Sequence, residues 1–284
     1  MSSAVRRMIA ALSRGPVYVV MTAIAVFWLV PTIGLFVASL RTSTENNTSG
    51  WWKALTSPSQ LTLQNYRDLF HGGSKIPHSL VNTAMIAVPT TVLVLLIAAL
   101  AAYAFAYARF PGRDVLFLLV VALLVVPLQV ALIPIASLYG DVGLFGRISG
   151  VVLFHTAFGL PFAIFLLRNF FVGIPHELLE AARMEGAGEL RVFSTIVVPL
   201  AFPALAALAI FQFLWVWNDL LVALVFASPS AAPITVVIRE QTRQFGSNIN
   251  VIAPGAFVSM IVPLIVFFAF QRYFVQGLLA GSQK

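Results

Sequence analysis

The sequence predicts an all-α polytopic membrane protein with six transmembrane helices. Three observations carry that expectation. Charged residues make up only 10% of the 284, against roughly 25% in a soluble domain. Hydrophobic residues make up 60%, more apolar surface than a packed core of this length hides from water. The apolar residues gather in six stretches, 17–40, 83–108, 115–139, 149–167, 197–227 and 255–271; a spanning helix needs roughly 20 residues, and the fifth stretch is longer, so its first turns are expected at the interface. The whole chain, 1–284, is expected to form one transmembrane domain.

Each span has its own reading. Arg6, Arg7 and Arg14 precede the first. Its apolar run is far longer than a cleavable signal core of roughly 7–15 residues, so it is expected to stay as a span. In the second, Ala98, Ala102 and Ala106 recur every fourth residue, a spacing that lets helices approach closely. Tight turns at 109–114 and 140–148 bound the third and fourth. The fifth contains Asp219, the single charged residue within the six stretches. Pro31, Pro89, Pro127, Pro134, Pro161, Pro203 and Pro263 fall inside the spans, where membrane helices tolerate proline and kink at it. The long connections, 41–82, 168–196 and 228–254, exceed mere links and point to function.

Charge sets direction. The net charge of +7 would suggest a nucleic-acid partner in a soluble protein. Here the cations lie mostly in loops beside apolar runs, so topology explains them and no nucleic acid is expected. With the N-terminus inside, 10 of the 17 Lys and Arg fall on cytoplasmic segments and 7 outside. Both termini are therefore expected in the cytoplasm of a multi-pass plasma-membrane protein, and 168–196 becomes an inner loop.

Catalytic signatures are missing. There is no cysteine, which removes thiol catalysis and Cys-ligated metal. His71, His78, His155 and His176 show no metal-ligand spacing, and neither a Gly-x-Ser-x-Gly elbow nor a Gly-Lys-[Ser/Thr] phosphate loop occurs. The chain is not expected to be an enzyme or to bind a metal. Any ATP-driven function must use an ATPase on another chain.

The inner loop carries the sharpest signal. Pro175 suits a helix start, Glu177 and Glu180 suit its dipole, and Gly186 and Gly188 stop it. The spacing predicts a helix near His176–Glu185 with Leu178, Ala181, Ala182 and Glu185 on one face. A small apolar face rimmed by acids suits docking into a partner's groove.

Glu180-Ala181-Ala182, three residues, Gly186, nine residues, Ile196, one residue and Val198-Pro199 resembles the EAA loop of ABC importer permeases, with Val198 replacing the family's Leu. Ser79 to Thr83, Pro127 to Pro134, Gly159-Leu-Pro161, Trp217-Asn218-Asp219 and the tail Gln271 to Gly281 resemble the carbohydrate branch, specifically the six-span member of a maltose-type permease heterodimer. Gly50-Trp51-Trp52 is similar to the α-glucoside subgroup. The resemblance implies a bacterial inner-membrane subunit that forms half of a sugar pathway. Its implied partners are a second permease, two ATPase subunits that bind ATP and Mg, and an extracytoplasmic solute-binding protein. It assigns ATPase coupling to Glu180, Ala181, Ala182, Gly186, Ile196 and Pro199. It also implies ATPase contact by the tail, about Gly277–Lys284, and binding-protein contact by the loop at about Ser228–Asn250.

The fifth span offers a second site. Offsets of 3 and 7 place Gln212, Trp215 and Asp219 on one helix face, with Asn218 adjacent. A carboxylate within a span marks a pathway or a partner contact, and aromatic rings beside amides suit sugar. Two other readings remain at this stage. An ABC importer for glycerol 3-phosphate, polyamine or peptide would share the coupling loop, although spans without Lys or Arg argue against a phosphate substrate. A secondary transporter would show inverted repeats and more intramembrane ionisable groups.

Overall fold

The computed structural model describes residues 3–244 and 248–280, with side chains described for 15–242 and 248–272. The chain forms two compact units, 1–74 with 240–258, and 75–239 with 259–284.

The first unit begins with α1 (Ser3–Ser39), whose stretch from Gly15 is a candidate span. The segment after it folds around the buried Arg41. Its guanidinium donates to the Glu45 and Ser49 carbonyls, to Ser49 Oγ and to Gln60 Oε1. A buried cation is tolerable only when its donors are met in this way. Thr42 and Glu45 form a reciprocal capping box on α2 (Ser43–Thr48). Asn65 of α3 (Gln64–His71) returns the chain to α1 by donating to the Ser39 and Arg41 carbonyls.

The second unit is built on α4 (Ile76–Tyr107), followed by α5 (Arg113–Ala122), α6 (Leu128–Asp141) and α7 (Ile148–Phe171). The inner loop supplies α8 (His176–Met184) and α9 (Glu189–Val192). A π turn, Phe193–Val197, leads into α10 (Val198–Leu200) and α11 (Phe202–Trp217). Then come α12 (Leu221–Phe226), α13 (Ile234–Gln244) and α14 (Ile249–Ala280), the last two running across both units. Ala98 and Ala102 are fully buried where α4 meets α7 and α11, so the alanine spacing serves close helix approach.

Four described helices are long and apolar enough to cross a membrane, and the number rises to six if each of two bent pairs is one span. The expected third and fifth spans are therefore not straight helices. The third turns by 99° between 113–125 and α6. Pro127 is the reason. It lacks an N–H, and it drives Val126 to an extended backbone at φ −71°, ψ 115°. The fifth turns by 76° at Ala201, beside Pro199 and Pro203. The described breaks at the prolines of the spans fall at Pro127 and Pro203; Pro31, Pro89, Pro134 and Pro161 stay inside helices.

Candidate functional site

α8 lies where the inner loop was expected to fold. Gly186, just past its end, takes φ +83°, a left-handed conformation that side chains resist. Leu179 is 0% exposed and sits in the cluster with Phe171, Ile174 and Val192. It roots the helix, leaving Leu178, Ala181 and Glu185 exposed and Ala182 half-buried. Met184, 90% exposed, joins the apolar outer face, and Glu177 and Glu180 rim it. The structure thus gathers Glu180, Ala181 and Ala182 on α8 with Gly186 in its C-terminal turn. It separates them from Ile196, half-buried in the π turn, and Pro199, exposed in α10.

A clamp fixes this loop. Arg183 of α8 donates to both carboxylate oxygens of Glu189 at 2.8 and 3.1 Å, and the Tyr103 hydroxyl of α4 donates to the same carboxylate. The Arg183 guanidinium, then the Tyr103 hydroxyl, holds the Glu189 carboxyl below the usual carboxylate range. The same hydrogen bond raises Arg183 further above its already basic value.

The pathway reading needs correction. Gln212, Trp215 and Asp219 do not share a helix face, because α11 ends at Trp217. Asn218 Nδ2 donates back to the Leu214 carbonyl at 2.8 Å. Asp219 lies beyond that end and accepts from the Val222 and Ala223 N–H groups of α12 at 3.3 and 3.1 Å. A short carboxylate competes for backbone donors in this way, which favours a cap over a helix interior. Gln212 is only 4% exposed, turned against Gly159 of α7, and its amide nitrogen has no partner. Trp215 is 42% exposed. Phe211 and Trp215 are therefore exposed near the end of α11, with Asn218 exposed just beyond it.

The structure gives Asp219 a different neighbour, His155. This imidazole is 1% exposed, with Nε2 3.4 Å from Asp219 Oδ2. Trp215 stands edge-on to it at 5.4 Å. A cavity of about 10 Å³, on the order of one water molecule, lies between Thr83, His155 and Asp219. The loop after α12 is sewn to the same place. Thr235 Oγ1 donates to the Asp219 carbonyl at 2.6 Å, Asn82 Nδ2 donates to the Ser230 and Ala232 carbonyls, and Ile234 N–H donates to Thr83 Oγ1. Asn82 and Thr83, noticed in the sequence only through resemblance, hold this loop.

Sequence reasoning missed Tyr103, Arg183 and the His155–Asp219 pair. Arg183 and Glu189 are six apart across a turn, so no helical spacing links them. Tyr103 and His155 had visible polar groups in apolar spans, the one signal available, but no spacing named their partners. The tail at about Gly277–Lys284 lies partly outside the described residues, as do 245–247 of the outer loop.

The described elements are helical, with helices apolar enough for four to six membrane spans, as a transport permease requires. Residues 94–279 match the family described as the inner membrane component of binding-protein-dependent transport systems, and the chain belongs to that family. It is 48% identical over 274 residues to the osmoprotective compounds uptake permease protein GgtD of Synechocystis sp., covering 95% of this chain and 92% of the relative. It is 50% identical over 236 residues to the alpha-glucoside transport system permease protein AglG of Rhizobium meliloti, covering 81% of this chain and 62% of that longer relative. The fold is similar to a solved bacterial ABC transporter described as importing the acidic polysaccharide alginate. That match has a TM-score of 0.75 and 23% identity, and it covers 96% of this chain and 99% of that one.

Proposed function

We propose that this chain is one of two membrane-spanning subunits of an ATP-driven importer for an α-glucoside, and that it forms half of the pathway. The similarity to an α-glucoside permease at 50% identity over 81% of the chain carries the substrate class. The trehalose permease SugB of Mycobacterium tuberculosis, 35% identical over 268 residues, supports it. A neutral sugar also agrees with spans that hold no Lys or Arg. The partners are a second permease, two ATPases that bind ATP and Mg, and an extracytoplasmic binding protein. This chain hydrolyses nothing itself. Its termini lie in the cytoplasm, and α8 docks in the ATPase through Glu180, Ala181 and the turn at Gly186. Closure of the ATPase pair then drives alternating access as rigid-body motion. Trp215, exposed near the end of α11, and Asn218 just beyond it meet the sugar in this reading. Asp219 and Gln212 support them from behind.

Uptake of a radiolabelled α-glucoside such as trehalose, in cells lacking this chain and complemented with it, tests the substrate class. Complementation should restore α-glucoside uptake, and excess cellobiose, a β-glucoside, should not compete. Restored uptake of glycerol 3-phosphate or a polyamine instead would reject the sugar reading.

A further inference from the structure

Two tyrosines one turn apart on α4 hold both ends of the loop that carries α8. The Tyr107 hydroxyl donates to the Phe171 carbonyl at the end of α7, and its ring stands edge-on to His176, the first residue of α8, at 5.6 Å. The Tyr103 hydroxyl donates to Glu189, the first residue of α9, and its ring stands edge-on to Phe193, which opens the π turn, at 5.3 Å. The two rings touch at 5.2 Å. Glu189 in turn grips Arg183 near the end of α8. Leu179 alone would root α8 at one point, and one point of attachment is a pivot about which a helix tilts. Contacts at the beginning and end of the loop, plus the Arg183–Glu189 bridge, remove that freedom.

We propose that Tyr103 and Tyr107, with the Arg183–Glu189 bridge, are positioning residues that lock the orientation of α8 to α4. A force on α8 then moves α4 and the helices against it, α7 and α11, as one body rather than tilting α8 on Leu179. The inference rests on α8 being the coupling helix. It requires both hydroxyls and the bridge to matter for transmission and not for docking: each makes its bond within this chain, whereas Glu180, Ala181 and Met184 form the outer face of α8. An exposed ion pair adds little stability, so the bridge's contribution is to orientation.

The experiment uses the full importer, with this chain co-expressed with its second permease, ATPase and binding protein. Tyr103→Phe combined with Tyr107→Phe keeps both rings and removes both hydrogen bonds. The complex should assemble, and basal ATP turnover should stay at the wild-type rate. Sugar moved per ATP hydrolysed should fall by about fivefold or more, within the usual range of coupling between sites. Glu189→Arg should lower the same ratio, and Arg183→Glu with Glu189→Arg should recover it by restoring the opposite charges. A wild-type ratio in the tyrosine variant and in Glu189→Arg would overturn the proposal while leaving α8 as the docking helix. Loss of ATPase from the tyrosine variant would overturn it as well, by showing a role in assembly instead. Failure of the wild-type chain to retain the ATPase would remove the coupling reading beneath it.

Discussion

Asp219 shows how one side chain's role depends on where a helix stops. As a bare carboxylate in an apolar span it would cost about 2.5–3.5 kcal/mol on insertion scales. The break after Trp217 turns it into a cap with two backbone donors and a histidine at 3.4 Å. Asp219→Ala should therefore lower the thermal stability of the purified complex, by the roughly 0.5–2 kcal/mol that a lost cap costs. Asp219→Asn keeps one acceptor and should lower it less. Equal melting temperatures for wild type and Asp219→Ala would refute the cap. Gly159 offers a second test. A Cβ there would meet Gln212 Oε1 at 2.8 Å and Nε2 at 2.9 Å, so Gly159→Ala forces a buried amide to shift, at a cost of order 1–3 kcal/mol. Adding Gln212→Ala should recover most of the lost stability in a double-mutant cycle. Additive losses would mean that the two residues do not oppose each other. The lone charge was visible in the sequence, but the helix end was not. Residues 210–226 read as one apolar run, and only Asn218 bonding back to Leu214 reveals the stop.

At the scale of elements, composition and proline spacing made the helices legible, and α8 was found within a residue of its expected limits. The bends were less legible, because eight prolines occupy the spans and the described breaks select Pro127 and Pro203. In each case the residue before the new helix leaves helical geometry, Pro127 with an extended backbone and Ala201 at ψ 2°. The π turn was invisible, since a widened turn has no residue signature. It carries one residue more than an α turn would, and such bulges gather at functional sites. Deleting Ser194, which is exposed, should convert it to α. That would rotate Glu189–Phe193 by about 100° relative to α10 and pull Glu189 from Tyr103. The sugar-to-ATP ratio should then fall as in the tyrosine variant; a wild-type ratio would make the π turn incidental. Acid should loosen the same clamp. The Glu189 carboxyl is depressed in the fold, so its contribution is present above the ordinary Glu value of about 4.3. It is lost as pH falls through the lowered folded value. Amide exchange in Glu189–Val192, corrected for intrinsic rate, should speed up over that window in wild type and show no such step in Glu189→Gln.

Across the whole molecule, the second unit has two polar ends. At one, Asn82 holds Ser230 and Ala232, and Ser228 bonds Gly146. At the other, Tyr107 holds Phe171 and Tyr103 holds Glu189. Asn82 and Tyr107 stand at opposite ends of α4, about 38 Å apart at 1.5 Å per residue, enough to straddle a hydrocarbon core of about 30 Å. The loops of this unit therefore alternate between its two ends, and the remaining question is which end faces the cytoplasm. The cation bias assigns the Tyr107 end to it. A chain without cysteine lets single cysteines answer this directly. Positions must be exposed and free of left-handed backbone, which excludes Gly112 and Gly143 at φ +78° and +71°. Thr48, Val142, Ala108 and Met184 are exposed, and the cation bias predicts the first two outside and the last two inside. In intact cells an impermeant maleimide should label Thr48→Cys and Val142→Cys and spare Ala108→Cys and Met184→Cys. All four should label after the membrane is opened. The opposite pattern would invert the molecule, move α8 outside and remove it from the reach of any cytoplasmic ATPase.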